Sequence, residues 1–159
     1  MDPADSRLAA FADALDAVCL DLALQVVRDG EGAQKLIEIL VEGAVSDASA
    51  KRIGLTIANS PLVKTAIAGG DANWGRVVMA VGKAGEPVEP AALAVSFGGH
   101  AVAREGRAVP DLDEAPIAAH LAGREIALSV VVGRGPGRAR VWTCDLTHGY
   151  IDINADYRS

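Results

Sequence analysis

From Ser6 to about Arg28 the apolar residues Leu8, Phe11, Leu15, Val18, Leu22 and Val26 recur in steps of three and four. That spacing marks one face of a single long amphipathic α-helix. Asp5 or Ser6 can cap its first backbone amides. A helix with so continuous an apolar stripe must dock, either on a sheet or on another chain. Any fold for this sequence has to give the stripe a partner.

The segments that follow are punctuated by glycine, proline and capping residues. Asp29-Gly30-Glu31-Gly32-Ala33 ends the helix in a tight turn that presents the Glu31 carboxylate on a constrained loop. Lys35 to Val41 carries Ile37, Ile39 and Val41 in alternation and predicts a strand. Ser46-Asp47-Ala48-Ser49 opens a second helix running to Asn59, and Pro61 restarts the chain as a short helix to Ala68. Trp74 to Lys83 predicts another helix. The second half changes character. Ala94 to Phe97 and His100 to Arg104 predict a hairpin around Gly98-Gly99, and Asp113 to Leu121 a short helix. Glu125 to Val132 and Arg138 to Thr143 predict strands joined by Gly133-Arg134-Gly135-Pro136-Gly137. In the last stretch Tyr150, Asp152 and Asn154 alternate with Ile151, Ile153 and Ala155. This predicts a closing strand from about His148 to Asn154, its isoleucines buried and its polar residues held on the other face. Helices early and mostly antiparallel strands late imply an α/β (α+β) architecture of layered helices and sheet, in one domain covering residues 1–159.

Composition excludes several functions. Half of the residues are hydrophobic but only 4% are aromatic, so the core is aliphatic. The net charge of −6 opposes binding to nucleic acid. No apolar run reaches the roughly 18 residues of a membrane span, and the start of the sequence is acidic, so the cytoplasm is the expected compartment. Cys19 and Cys144 lack a CxxC spacing and read as reduced core cysteines. His100, His120 and His148 are too far apart in sequence to suggest a metal site.

The chemistry-bearing motifs are few. Gly133 to Arg138 resembles a phosphate cradle but lacks the Gly-Lys-Ser/Thr and following helix of a P-loop, and a solvated turn accounts for it. Cys144 near His148 suggests a thiol nucleophile faintly, and packing accounts for it better. Lys64-Thr65 could activate a hydroxyl, with a solvent-exposed lysine as the plain alternative. Glu31 together with Asn154 and Ser159 would suit a zwitterionic ligand such as an amino acid. The carboxylate would pair with an ammonium, and the amide and hydroxyl would donate to a carboxylate. Nothing in the spacing brings these regions together.

Three stretches carry a resemblance. They are Arg28-Asp29-Gly30-Glu31-Gly32-Ala33, then Ile57 to Ala66 with Asp71-Ala72-Asn73-Trp74-Gly75-Arg76, and finally Trp142 to Thr147 with Ile153-Asn154-Ala155-Asp156-Tyr157-Arg158-Ser159. From about Phe11 to Ser159 the chain resembles the C-terminal part of the β chain of the ornithine acetyltransferases, also called glutamate N-acetyltransferases, of arginine biosynthesis. The resemblance implies a self-processing, N-terminal-nucleophile-like acetyltransferase fold. It implies acetyl transfer from N2-acetyl-L-ornithine to L-glutamate through an acetylated threonine, with acetyl-CoA as donor in some members and no bound cofactor. It implies an assembly of α and β chains into a heterotetramer. Glu31, Asn154 and Ser159 match the family's substrate-binding positions. Gln34 stands where the family has threonine.

The family's cleavage site, nucleophilic threonine and oxyanion-hole residues precede the matched region. The resemblance therefore implies no catalytic residue in these 159 residues, and an isolated chain without acetyltransferase activity. Its expected partners are the N-terminal α chain, the remaining β-chain segment and amino-acid substrates. Two other readings compete: a non-catalytic amino-acid-binding or assembly module, and another reaction on the same scaffold, as in the related self-processing aminopeptidases.

Overall fold

The computed structural model describes residues 6–156, the first two in backbone only. Ser159 and Asp5 therefore lie outside the described residues. The chain runs α1 (Ser6–Arg28), β1 (Leu36–Ala44), α2 (Asp47–Ala58), α3 (Pro61–Ala68), α4 (Trp74–Lys83), β2 (Ala94–Phe97), β3 (His100–Arg104), β4 (Arg107–Ala108), α5 (Ala115–Leu121), β5 (Glu125–Val131), β6 (Gly137–Cys144) and α6 (His148–Ala155).

The helix starts follow from capping chemistry. Ser46 Oγ accepts from Ser49 N, Ser60 Oγ from Val63 N, and Asn73 Oδ1 from Arg76 N, each satisfying an amide that has no partner within its helix. Pro61 sits in the first turn of α3, where its missing N–H costs nothing.

The strands form one six-stranded sheet in the order β4-β3-β2-β5-β1-β6. Only β1 and β5 run parallel; the other neighbours are antiparallel. β5 and β6 do not pair with each other. They flank β1, and the glycine-rich turn between them strides across its end, where Gly135 N donates to Gly43 O at 3.0 Å and Val132 N to Glu42 O at 2.9 Å. The core is aliphatic, as the composition requires. Ile37, Ile39 and Val41 of β1, and Ile126, Leu128 and Val130 of β5, pack under Ile53 and Ile57 of α2 and Val77 and Val81 of α4, all with 2% exposure or less. Alternate residues face the other way. There Arg140 pairs with Glu38 at 3.3 Å, Arg138 with Glu42 at 3.2 Å, and Trp142 Nε1 donates to Glu38 at 3.2 Å.

Three sequence expectations are corrected. The closing segment is a helix, not a strand: Thr147 caps α6 by accepting from Gly149 N at 3.1 Å, and this local start signal outweighs two isoleucines in alternation. Ile151 and Ile153 are accordingly exposed, 62% and 48%, instead of buried. Cys19 is exposed on α1 and Cys144 is half-buried, so neither is a core cysteine, although both are free thiols. The reason for Cys19 is α1 itself. The helix meets β6 only sparsely, every residue from Ala9 to Ala23 is exposed, and its stripe stays open, with Phe11 65%, Val18 57% and Val26 74% exposed. Among the described residues no helix is long and apolar enough to cross a membrane.

Candidate functional site

The loop between α1 and β1 is pinned at several points, and each pin fixes the position of Glu31. At its start Ala33 N donates to Gly30 O at 2.9 Å, closing a turn around Glu31 and Gly32. At its end Asp145, only 3% exposed, accepts at one carboxylate oxygen from Gln34 N at 2.8 Å and Lys35 N at 3.0 Å. Asp145 N returns a bond to Lys35 O at 3.1 Å. Lys35 reaches across to the end of α3, its Nζ donating to Ile67 O at 2.7 Å, where a cation meets the unpaired carbonyls of a helix terminus.

The middle of the loop rests on the start of α6. Thr147 Oγ1 donates to Gly32 O at 2.6 Å while accepting from Gly149 N, so one hydroxyl caps the helix and tethers the loop. Gly32 has φ +70, and a β-carbon there would lie 2.4 Å from Tyr150 N. Only glycine allows this backbone to approach so closely in the left-handed region.

This seating brings Glu31 against the α6 side chain of Asn154. Asn154 Nδ2 donates to Glu31 Oε2 at 2.7 Å and to Tyr150 O at 2.9 Å. Two candidates that sequence spacing could not connect are thus in direct contact. Ser159, the third, lies outside the described residues. An open groove of about 610 Å³ is lined by Gln34, Thr65, Leu146, His148, Tyr150 and Ile151; it takes in neighbours of the pair, and neither Glu31 nor Asn154 lines it.

The other motifs carry less. Thr65 Oγ1 donates to Pro61 O at 2.8 Å, so its hydroxyl is spent within α3, and Lys64 Nζ lies 3.9 Å from Cys144 Sγ and not at Thr65. In the glycine-rich turn Arg134 pairs with Glu89 at 3.7 Å and Arg138 with Glu42 at 3.2 Å. These arginines are matched by carboxylates on an exposed turn, and they do not converge on an anion site. Asp145 and Thr147, which set the loop, went unremarked as anchors in the sequence. The Thr-x-Gly at the foot of α6 is a capping signal that could have identified Thr147. No local signal identifies Asp145, because its partners lie more than a hundred positions away, with a separation of 111 to Gln34.

With this geometry in place, comparison with known proteins is specific. The ArgJ family model matches residues 2–159. The arginine biosynthesis bifunctional protein ArgJ of Zymomonas mobilis is 68% identical over 147 residues, covering 92% of this chain and 36% of that protein. The ArgJ of Gluconobacter oxydans is 62% identical over 158 residues, covering 99% of this chain and 37% of that protein. The crystal structure of the arginine biosynthesis bifunctional protein argJ from Bacillus halodurans superposes with a TM-score of 0.94 at 39% identity, over 99% of this chain and 74% of that chain. The chain thus spans little more than a third of the length of these curated relatives, while almost all of its own length is matched, and it belongs to the ArgJ family.

Proposed function

We propose that these residues form the substrate-binding C-terminal part of a glutamate N-acetyltransferase, which moves an acetyl group from N2-acetyl-L-ornithine to L-glutamate in arginine biosynthesis. The observation that carries this reading is the Glu31–Asn154 contact at 2.7 Å. It joins two residues whose positions match substrate contacts of the ornithine acetyltransferases. Ser159 is the third substrate contact in this proposal.

The nucleophile is a threonine in the segment that precedes these residues in the family, and the described residues contribute binding and orientation. Thr65 and Thr147 both line the groove, but Thr65 donates its proton to Pro61 O and Thr147 to Gly32 O, so neither is a substitute. The partner of the open α1 stripe is that preceding segment, in an assembly of α and β chains. No bound cofactor is involved, acetyl-CoA is an alternative donor, and the compartment is the cytoplasm.

The test is acetyl transfer from N2-acetylornithine to glutamate, measured with the purified chain alone and then with the preceding family segment supplied as a separate polypeptide. Turnover is expected only on complementation. Turnover by the chain alone overturns the division of labour. A folded, associated complex without turnover favours a binding or assembly module.

A further inference from the structure

Lys64 on α3 and Cys144 at the end of β6 are 80 positions apart and meet in the fold. Leu146 N donates to Lys64 O at 3.5 Å, which ties the segment after β6 to α3. Beside that tie, Lys64 Nζ lies 3.9 Å from Cys144 Sγ, and both residues are half-buried. Among the described residues the Lys64 ammonium is paired with no carboxylate. Lys35 shows the ordinary arrangement, its Nζ donating to Ile67 O at 2.7 Å and to Ala68 O at 3.4 Å. A thiol sulfur is a weak acceptor, so the Lys64 contact is a poor hydrogen bond. What it does is hold an amine beside a thiol.

The sulfur also rests against the turn before Glu31, where a β-carbon at Gly30 would lie 3.2 Å from Sγ. Its near neighbours are therefore Gly30 and the Lys64 amine. The second thiol, Cys19, is exposed on α1, a helix that contains no lysine. It provides an internal comparison.

We propose that Cys144 and Lys64 form a peroxide-responsive pair, in which the amine captures the oxidised thiol as a sulfenamide. Hydrogen peroxide first takes the Cys144 thiol to a sulfenic acid. The peroxide O–O bond breaks, an S–O bond forms, sulfur gives up two electrons and one water leaves. The Lys64 amine, its ammonium proton lost to solvent, then attacks the sulfur. An S–N bond forms, the S–O bond breaks, and the hydroxyl leaves with an amine proton as a second water. One thiol, one amine and one peroxide thus give one sulfenamide and two waters. The unbranched lysine stem is flexible enough to close the remaining gap. The product removes the Lys64 charge, joins α3 to the end of β6 and spares the thiol from the irreversible acids. This inference stands apart from the Glu31–Asn154 reading.

The test uses the full chain carrying Cys19→Ser, so that no disulfide within the chain imitates the product. After mild hydrogen peroxide, the chain is digested without reductant and its peptides are mapped by mass spectrometry. The peptides holding Lys64 and Cys144 are expected joined, about 2 Da lighter than their sum, with cleavage after Lys64 lost. Dithiothreitol should release both. The same treatment in urea should give no joined peptide, because only the fold brings the two residues together. Lys64→Arg keeps the charge and lacks a primary amine, so it should lose the product and leave Cys144 to reach the sulfinic acid. If that variant does not fold, the mapping of the Cys19→Ser chain decides alone. A Cys144 recovered as free thiol, or as sulfinic acid with Lys64 unmodified, overturns the proposal. So does a link to another lysine, one that persists in urea, or one that retains the peroxide oxygen.

Discussion

Asn154 and Glu31, 123 positions apart, are joined by a 2.7 Å hydrogen bond between the last helix and the loop from α1 to β1. Both side chains are exposed, so the bond contributes little to stability. Glu31→Gln and Asn154→Ala should each change the unfolding free energy of the chain by less than about 0.5 kcal/mol. In the complemented enzyme the same substitutions should lower acetyl transfer about tenfold or more, the order expected for losing one charge-assisted contact. Urea denaturation and steady-state rates on the same preparations distinguish the two effects.

Gly32 and Gly70 both occupy the left-handed region, at φ +70 and +73, and only Gly32 is crowded. Gly70→Ala meets nothing within 4 Å and should cost only backbone strain, about 1 kcal/mol. Gly32→Ala drives a β-carbon into the α6 backbone at Tyr150 and should cost more, about 2–4 kcal/mol, unless the loop lifts away. Thermal unfolding of both variants checks the order. A Gly32→Ala chain as stable as Gly70→Ala would mean that the loop had moved, and with it Glu31.

Asp145→Ala removes the acceptor that serves Gln34 N and Lys35 N. Leaving these part-buried amides without their acceptor should destabilise the chain by about 1–3 kcal/mol. Hydrogen exchange at both amides should quicken in the variant. Unchanged protection would show that the loop is held by Thr147 alone.

The guanidinium of Arg52 donates to both oxygens of Glu86 and is the main reason its carboxyl is held at about 2, below the ordinary 4.5. The folded chain keeps Glu86 ionised where the unfolded chain takes up a proton. Its stabilisation is therefore complete above about pH 4.5 and is lost as the pH falls towards about 2. Glu86→Gln should be less stable than the parent at about pH 6, and the difference should shrink through this window. A difference independent of pH would assign the effect to packing of the Glu86 side chain, which is only 12% exposed.

The α1 stripe gives the last prediction. Val18 and Leu22 are 57% and 56% exposed, so Val18→Glu with Leu22→Glu should leave the unfolding of the isolated chain within about 0.5 kcal/mol per site. The same pair should abolish association with the complementing segment, because it places two charges in an apolar contact. Light scattering of the mixture reads this directly. A chain that stays monomeric at high concentration, with and without that segment, would remove the proposed role of α1.

Elements with a strong local signal were legible in the sequence. The apolar steps of α1, the serine caps of α2 and α3, the alternation in β1 and the Gly98-Gly99 turn each act over a few residues, and the chain folds there as those residues direct. Glu31 and Asn154 were legible as candidates, through residue chemistry and family resemblance. Their contact was not, since it depends on Asp145 and Thr147 fixing the loop from the far end of the chain. The closing helix misled for a related reason. Two alternating isoleucines are a weak signal, and the Thr147 cap together with its bond to Gly32 decides the conformation. Local propensity thus determined most of the secondary structure and the residue types at the site. Only tertiary structure decided the placement of β1 between β5 and β6 and the meeting of Glu31 with Asn154, because each is fixed by partners distant in sequence.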